Sequence, residues 1–371
     1  MDKIEELLTR GVENVVPNKD ELGMVLRSDK KLNIYLGVDP TATHIHLGHA
    51  VPLRKLQAFV ELGHHVTFLI GDFTALIGDT SDKESERPIL TKEEIETNFQ
   101  TYKAQAEKLL DFSKVALRHN SEWLDKITPR DFVGLFQKFS LNDFIGRELI
   151  HKRLTDGKHV RFDEMVYPLL QAYDSYFLDT DVQIGGTDQT FNMQAGRSLQ
   201  KNLRQKESFV LATGFLEGTD GRKMSKSWGN AIWLDDSPAN IFGKVMSLKD
   251  ELINQYFTLA TNLLLNKIPK DGHPMELKKK LAFQIVSELH SQDAAKKAQE
   301  EFENTFQKGE IAEELIQEIK VHPGKITDQL VEAGIVSSKS EAKRLEEQGA
   351  IEEIKPGLFR VGKKRFVKVI E

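Results

Sequence analysis

A short motif with two histidines, His46 and His49 on either side of Gly48, could bind phosphate. It lies between the apolar run 32–38, which has strand character, and the segment 50–59, which is predicted to be a helix. Ligands of an open parallel sheet gather at the carboxyl ends of its strands, where a helix N-terminus offers unpaired N–H groups to phosphate. The glycine would let a base or ribose approach the backbone. By itself, the motif is better explained as a helix N-terminus with two surface histidines.

A second stretch, at 223–227, has the sequence Lys-Met-Ser-Lys-Ser. Together with the first motif, it favours phosphate binding over the explanation by two surface histidines. Its glycine- and serine-containing surroundings predict a mobile loop, to which Lys223 and Lys226 add two ammonium groups. Such a loop can be an ordinary solvated turn, but expulsion of pyrophosphate from ATP needs positive charge near the β- and γ-phosphates. H-x-G-H and K-M-S-K-S, in this order, resemble the two signatures of class I aminoacyl-tRNA synthetases. The pair is far more specific than either motif alone.

Bulk composition restricts the class of protein. The chain has 371 residues, enough for two or three domains, and its 39% hydrophobic and 29% charged residues are ordinary for a soluble protein. It has no cysteine, which excludes disulfide frameworks and thiolate metal sites and fits a reducing cytoplasm. No apolar run approaches the length of a membrane span, and the acidic N-terminus does not resemble a signal peptide. With a net charge of −6, any RNA contact must come from local basic surface.

A sheet must bring the two motifs together, and three further segments predict its strands. Residues 65–70 are continuously apolar, as expected for a strand covered on both faces, and 115–117 and 210–211 are shorter runs of the same kind. Asp79 follows the first of these on a glycine-bounded turn, where a carboxylate could meet an amine. Alone, it would be explained as a turn or helix-cap residue. Residues 1–30 are predicted to be helical.

A polar constellation lies in a further predicted helix. Tyr167, Gln171 and Asp174 are spaced i, i+4 and i+7 and therefore share one face. The apolar and aromatic residues between them indicate that this face is buried. Because buried polar groups need hydrogen-bond partners, a small polar ligand could supply them.

A glycine-rich turn at 185–189 follows another short predicted strand. Its glycines, including Gly186, would allow a nucleotide to approach closely. Asp188 could then accept hydrogen bonds from ribose hydroxyls.

Basic residues are concentrated in two other regions. Residues 121–165 mix a helical pattern with basic side chains, which fits a partner surface and a solvated helix face about equally. Residues 236–321 are predicted to be helical, and the tail at 322–371 combines two short helices with a basic hairpin. This tail suits phosphate contacts, although a charged surface on a small domain would look similar. The candidate tRNA-binding residues in it are Lys339, Lys343, Arg344, Lys363, Lys364 and Arg365.

Over essentially its whole length, the chain resembles the bacterial-type tyrosyl-tRNA synthetases. The motifs that carry the resemblance lie at 35–41, 46–49, 76–79, 167–174, 185–189 and 223–227. The resemblance implies an α/β fold with a Rossmann-like parallel-sheet nucleotide-binding domain, a helical domain and a small α+β RNA-binding domain. The implied bounds are 1–235 for the catalytic domain, with an inserted dimerisation region near 121–165, 236–321 for the helical anticodon-side domain, and 322–371 for the RNA-binding domain.

The resemblance also implies individual roles. Tyr35 and Asp174 would hydrogen-bond the phenol hydroxyl of tyrosine. The α-ammonium would be held by Asp79, Tyr167 and Gln171, and Gln183 would help line the pocket. Around the aminoacyl group and ribose the implied residues are Asp39, Gly186, Asp188 and Gln189. For ATP, the resemblance implies that Gly48 and Ser225 contact the nucleotide. The phosphates would be contacted by Thr41, His46 and His49. The departing pyrophosphate would be contacted by Lys223 and Lys226.

The implied activity is that of a tyrosine–tRNA ligase acting in two steps. Tyrosine and ATP would form tyrosyl-adenylate and pyrophosphate, and tyrosine would then pass to the 3′-terminal adenosine of tRNA(Tyr). The resemblance further implies Mg²⁺ bound through the nucleotide, no protein-ligated metal, a homodimer and a cytoplasmic location without membrane contact.

Two alternatives are weighed against this function. A tryptophan-specific synthetase would share both signatures, but it has no use for Tyr35 and Asp174 aimed at a hydroxyl. A non-catalytic RNA-binding paralogue predicts decay of the signatures, and both are intact. A generic nucleotidyltransferase would not need the RNA-binding-like tail.

Overall fold

The computed structural model describes residues 2–79, 90–224, 228–269, 271–307, 316–320, 325–336, 338–355, 357–362 and 365–370. The chain divides into two compact units, Met1–Ala295 and Lys296–Glu371, each with its own sheet. The finer division into three domains stays a prediction.

A six-stranded sheet forms the centre of the first unit. Its strands are β1 (Val12–Val16), β2 (Asn33–Val38), β3 (His65–Ile70), β4 (Val115–His119), β5 (Val182–Gly186) and β6 (Phe209–Thr213). Their order in the sheet is β1-β6-β5-β2-β3-β4, and every pairing is parallel except that of β1 with β6. The predicted α/β class with a Rossmann-like parallel sheet is confirmed.

The α-helices up to residue 307 follow in chain order, and the last of them spans the boundary between the two units. They are α1 (Lys3–Thr9), α2 (Lys19–Leu26), α3 (Leu47–Glu61), α4 (Lys92–Ala106), α5 (Ser121–Leu124), α6 (Pro129–Phe136), α7 (Leu141–Ile145), α8 (Glu148–Thr155), α9 (Phe162–Phe177), α10 (Thr190–Arg204), α11 (Pro238–Met246), α12 (Ile253–Ala260), α13 (Pro274–Leu289) and α14 (Gln292–Gln307). α3 packs on β2, β3 and β5, and α10 packs on β5 and β6. None of the described helices has the length and apolarity needed to cross a membrane.

The prediction that residues 1–30 are helical is wrong at one point, because β1 separates α1 from α2. Gly11 follows α1 with a left-handed φ of +60°, a conformation that glycine adopts without strain. Val12, Val15 and Val16 then supply β-branched side chains, which favour a strand. Pairing of β1 with β6 covers an edge of the parallel sheet that would otherwise be open.

The second unit contains a four-stranded sheet in the order β7-β10-β9-β8. Its elements are β7 (Ile316–Lys320), α15 (Ile326–Glu332), α16 (Lys339–Glu347), β8 (Ile351–Lys355), β9 (Leu358–Val361) and β10 (Arg365–Ile370). The basic hairpin predicted for the tail is the antiparallel pair β9 and β10. β7 lies in the range predicted to be helical, and that part of the prediction is wrong, because these residues pair in parallel with β10. Leu330, Val336 and Val367 form part of the small core.

A buried ion pair joins α8 to the start of α9. The side chains of Arg153 and Glu164 are 2% and 0% exposed, and the two guanidinium Nη atoms lie 2.6 and 3.2 Å from the carboxylate oxygens. Arg153 also donates to the carbonyl of His159 at 2.7 Å. Because buried charges are stable only when paired and hydrogen-bonded, this pair fixes the turn that leads into α9.

We expect Glu164→Gln to lower the free energy of unfolding by about 3–5 kcal/mol, because it removes the carboxylate charge that is paired with the buried Arg153 guanidinium. Urea denaturation followed by circular dichroism measures this loss. The control is Glu107→Gln, which removes a more exposed partner of Lys103 at 3.6 Å and should cost less than about 1 kcal/mol. Equal losses in the two variants would contradict a structural role for the buried pair.

Candidate functional site

A cavity opens at the carboxyl edge of the first sheet, where four parallel strands end. Asp39 follows β2, Thr74 lies beyond β3, Asn120 follows β4 and Gln189 lies beyond β5. Tyr35 of β2 and the polar face of α9 complete the wall. The α9 residues that line the cavity are Tyr167, Gln171 and Asp174.

Asp174 lies in the wall of this cavity with its carboxylate 3% exposed. Trp123 Nε1 donates to Oδ1 at 2.8 Å, and Asn120 Nδ2 donates to Oδ2 at 3.2 Å. Burial raises the pKa of Asp174 to about 8, against the opposing effect of these two donors. The carboxyl group is therefore held in a fixed orientation and has a strong tendency to gain a proton or a hydrogen-bond donor.

Tyr35 and Gln183 lie side by side because β2 and β5 pair in parallel at these two positions. The Tyr35 hydroxyl donates to Gln183 Oε1 at 3.2 Å, and Gln183 Nε2 donates to the carbonyl of Met193 at 2.9 Å. Burial, followed by the nearby charge of Asp174, raises the pKa of Tyr35 well above its usual value. Tyr35 thus remains a neutral phenol next to a carboxyl group.

A second cluster of hydrogen-bonded polar side chains surrounds Asp39 near the cavity. Thr74 Oγ1 donates to Asp39 Oδ1 at 2.8 Å, and the Tyr167 hydroxyl donates to Oδ2 at 2.9 Å. Gln189 Nε2 donates to Asp79 Oδ2 at 2.6 Å. The two carboxylates therefore flank a cavity wall to which a positively charged group would be attracted.

Gln171 provides a separate indication of a ligand. Its Oε1 is buried and has no hydrogen-bond partner within the part of the chain that the structure describes. Because this side chain lines the cavity, a ligand that donates a hydrogen bond would satisfy the carbonyl oxygen.

The two histidines form the N-terminal cap of α3. His46 Nδ1 accepts from the backbone N–H of Gly48 at 3.1 Å, and His49 Nδ1 accepts from the backbone N–H of His46 at 3.2 Å. Burial, followed by the charges of His49 and Lys223, lowers the pKa of His46 to about 2. His46 is therefore neutral with its proton on Nε2, which leaves that N–H as the group able to donate to phosphate.

Gly48 is required by this cap geometry. A Cβ at this position would lie 2.9 Å from two atoms of the His46 ring. Any side chain there would displace the histidine or the helix start.

Backbone pairing joins the histidine motif to the segment at 232–234, which follows the lysine motif in the chain. The N–H of Leu47 donates to the carbonyl of Ile232 at 2.9 Å, and the N–H of Leu234 donates to the carbonyl of Ile45 at 2.9 Å. Lys223 consequently lies close enough to His46 to affect its pKa, with Nζ 5.5 Å from the centre of the Phe215 ring. Ser225 and Lys226 lie outside the described residues.

The remaining predicted residues are distributed between the two units. The Thr41 N–H donates to the carbonyl of Asp39 at 2.8 Å, and Gly186 and Asp188 lie at the end of β5. Lys339, Lys343 and Arg344 lie on α16 in the second unit, where the first two pair with Asp328 and Glu347. Arg365 begins β10, and Lys363 and Lys364 lie outside the described residues.

Sequence reasoning missed three residues that orient the site, which are Thr74 and Asn120 in the cavity wall and Trp123 on α5. Each orients one of the carboxylates predicted to bind a ligand. Asn120 directly follows β4, so the rule that ligand-binding residues gather at the carboxyl ends of strands could have found it. Trp123, on a short helix beyond that strand, carries no comparable signal.

Comparison with known proteins places this geometry in a family. The profile described as tRNA synthetases class I (W and Y) matches residues 27–307. Tyrosine–tRNA ligase of Thermotoga maritima is 42% identical, covering 98% of this chain and 96% of its own. Tyrosine–tRNA ligase of Dehalococcoides mccartyi strain 195 is 40% identical, covering 100% and 99%.

Two solved structures are also similar. The tyrosyl-tRNA synthetase of Archaeoglobus fulgidus, complexed with L-tyrosine, has a TM-score of 0.63 at 25% identity and covers 80% of this chain and 100% of its own. The C-terminally truncated mitochondrial tyrosyl-tRNA synthetase of Aspergillus nidulans has a TM-score of 0.69 at 24% identity, with coverage of 82% and 94%. At 24% identity, the similarity to the Aspergillus nidulans structure shows the fold alone.

We expect the free energy of unfolding to depend on pH through the titration of Asp174. Its pKa rises from 3.8 in the unfolded chain to about 8 in the folded state, so the folded state holds the extra proton between these values. The free energy of unfolding should therefore fall as pH rises through this window, by about 1 kcal/mol per pH unit from this group.

Urea denaturation from pH 4.5 to 7.5 tests this expectation by comparing wild type with Asp174→Asn, which cannot titrate. The variant should gain stability relative to wild type as pH rises. The exposed Asp125→Asn serves as control and should keep a constant difference from wild type. A constant difference for Asp174→Asn would show that burial does not raise this pKa.

Proposed function

The chain belongs to the class I tRNA synthetases for tryptophan and tyrosine, and we propose how its carboxyl-edge cavity recognises tyrosine and ATP. The chain is a tyrosine–tRNA ligase. It joins L-tyrosine and ATP into tyrosyl-adenylate, with release of pyrophosphate, and transfers tyrosine to tRNA(Tyr). The observation that carries the site assignment is the buried carboxyl of Asp174 beside the phenol of Tyr35, in the wall of the cavity at the carboxyl edge of the sheet.

Asp174 and Tyr35 recognise the substrate hydroxyl. A tyrosine phenol in the cavity would donate to the Asp174 carboxylate and thereby add a third hydrogen bond to those from Trp123 and Asn120. Phenylalanine would leave the carboxylate without that donor, which is costly in a buried site. The same argument disfavours tryptophan, since its indole offers no hydroxyl. It also opposes a non-catalytic paralogue, in which these groups would have no reason to stay buried and oriented.

The α-ammonium of tyrosine lies between the two carboxylate groups of the wall. Asp79, Tyr167 and Gln171 hold it, because Gln171 Oε1 is an unsatisfied acceptor and Asp79 supplies negative charge. Asp39 is turned by Tyr167 and Thr74 toward the same region and lies near the aminoacyl group. Gln183 lines the pocket beside Tyr35.

ATP lies over the start of α3. The Nε2–H groups of His46 and His49, together with Thr41, contact its phosphates, and Gly48 lies beneath the nucleotide. Gly186, Asp188 and Gln189 surround the ribose, and Ser225 lies near the adenylate. Mg²⁺ would accompany ATP through the phosphates, and a metal ligated by the protein is not part of the proposal.

Activation needs no side-chain nucleophile. A carboxylate oxygen of tyrosine attacks the α-phosphorus, and the bond from that phosphorus to the bridging oxygen of the β-phosphate breaks. Pyrophosphate leaves with the bonding electron pair. Lys223 and Lys226 neutralise the charge that develops on it, so catalysis consists of positioning and electrostatic stabilisation.

Dimer formation through the 121–165 region is supported by exposed apolar side chains. Helices α6 to α8 and the start of α9 expose Val133, Phe136, Leu141, Leu154 and Phe162. Apolar side chains gathered in this way are typical of protein interfaces. We propose a cytoplasmic homodimer, in which the 236–321 region and the basic residues of 322–371 contact tRNA.

The decisive experiment is ATP–pyrophosphate exchange with each of the twenty amino acids in the absence of tRNA. Exchange should occur with tyrosine, and Asp174→Ala should abolish it, whereas Asp125→Ala on the exposed surface should retain it. Exchange with tryptophan in place of tyrosine, or full activity of Asp174→Ala, would contradict the assignment. Absence of exchange with every amino acid, both with and without tRNA, would favour the RNA-binding paralogue.

We expect Lys223→Met to lower the rate of adenylate formation by about 10²-fold, because the variant loses charge stabilisation of the departing pyrophosphate. The Kd of tyrosine should not change. Pre-steady-state measurement of adenylate formation provides both values. The control is Lys249→Met, since Lys249 lies beside Gly221 near the same loop but pairs with Glu251. Equal rates for Lys223→Met and wild type would remove Lys223 from the mechanism.

A further inference from the structure

A second cavity, of about 260 Å³, lies between α1, the C-terminal half of α3 and the end of α12. It shares none of its lining residues with the cavity at the carboxyl edge. Leu7, Val51, Leu62 and Leu259 contribute an apolar wall. Its volume is just below the usual range for ligand sites, which fits a small molecule.

The polar wall of this cavity contains two arginines that are already engaged. Arg10 donates to three backbone carbonyls at the end of α12 and to Glu6 at 2.9 Å. Arg54 donates to Glu288 at 2.6 Å and to the carbonyl of Ala260 at 3.0 Å. These arginines cap the C-terminus of α12, where cations are favoured, so they have a structural explanation.

Lys55 in the same wall has no such explanation. Its side chain is 6% exposed, and Nζ donates to the carbonyl of Leu7 at 2.5 Å. In the described part of the chain no carboxylate accepts a hydrogen bond from this amine, and two of its three N–H donors lack an acceptor. The charge of Glu6 acts on this amine without a hydrogen bond and is outweighed by that of Arg10, so an anion in the adjoining cavity would compensate the buried ammonium.

We propose that this cavity binds a small amphipathic carboxylate, whose anionic group pairs with Lys55 and whose apolar part lies against Leu7, Val51 and Leu259. The carboxylate supplies the acceptors that Lys55 lacks, and the leucine and valine side chains remove the apolar part of the ligand from water. The site is separate from the tyrosine cavity and does not depend on the function proposed for it.

The charged groups around Lys55 predict that binding of a carboxylate is coupled to proton uptake. Burial and the charge of Arg10 lower the pKa of Lys55 to about 7, and Glu6 has a smaller opposing effect. Lys3, Arg54 and Glu61 also line the cavity. A bound carboxylate raises the pKa of Lys55, so binding near neutral pH takes up a proton and weakens as the pH rises above about 7.

Isothermal titration of the full chain with octanoate, and with octanol as the uncharged analogue, tests the proposal. Octanoate should bind one site per chain at least about tenfold more tightly than octanol, because a charged hydrogen bond forms. Titrations in buffers of different ionisation enthalpy should reveal proton uptake near pH 7. Octanoate that binds no tighter than octanol would overturn the proposal.

Variants locate the binding. Lys55→Met keeps the length of the side chain without its charge and should weaken octanoate binding at least about tenfold, whereas Lys103→Met on the surface of α4 should not. Ala58→Leu fills the cavity and should weaken octanoate and octanol alike. Circular dichroism verifies that each variant is folded. Unchanged binding in both cavity variants, or competition between octanoate and L-tyrosine, would place the ligand elsewhere and refute the site.

Discussion

Parallel pairing of β2 with its neighbours β3 and β5 is the constraint on which the site depends. Because the strands run in the same direction, the segments that leave β2, β3, β4 and β5 emerge at one edge of the sheet. Asp39, Thr74, Asn120 and Gln189 meet there although they are far apart in sequence. The same pairing sets Tyr35 directly beside Gln183. A one-residue slip of β2 against β5 would turn Tyr35 to the opposite face and away from Gln183.

The cavity is preorganised through buried hydrogen bonds. Each carboxylate in its wall is oriented by a neutral donor: Asp174 by Trp123 and Asn120, and Asp39 by Thr74 and Tyr167. Neutral donors fix orientation without cancelling charge, so the carboxylates keep their attraction for a ligand hydroxyl or ammonium. By contrast, the carboxylate of Glu164 is neutralised by Arg153 and serves only to hold α8 and α9. Whether the partner is neutral or charged thus separates binding carboxylates from structural ones.

Helix α3 connects the nucleotide end of the molecule to the second cavity. Its first turn carries the histidine cap, and Lys55 lies two turns further along the same helix. The helix is held at its start by backbone pairing with the segment after the lysine motif, and further along by Arg54 through Glu288 and the end of α12. Helix α3 thus joins the histidine cap to the second cavity, whereas none of its residues lines the cavity at the carboxyl edge.

The sequence by itself determined the class of fold, the two signature motifs and the polar face of α9, because these depend on local periodicity and on residue types at fixed spacing. It misassigned β1 and β7, whose partners lie about 200 and 50 residues away in the chain, since strand pairing is decided by long-range contacts. Tertiary structure alone decided that Trp123 and Asn120 hold Asp174, that His46 is neutral, and that Lys55 lies buried beside a cavity. Hydrogen-bond orientation, desolvation and the balance of neighbouring charges depend on which distant groups are brought together, and no local pattern encodes them.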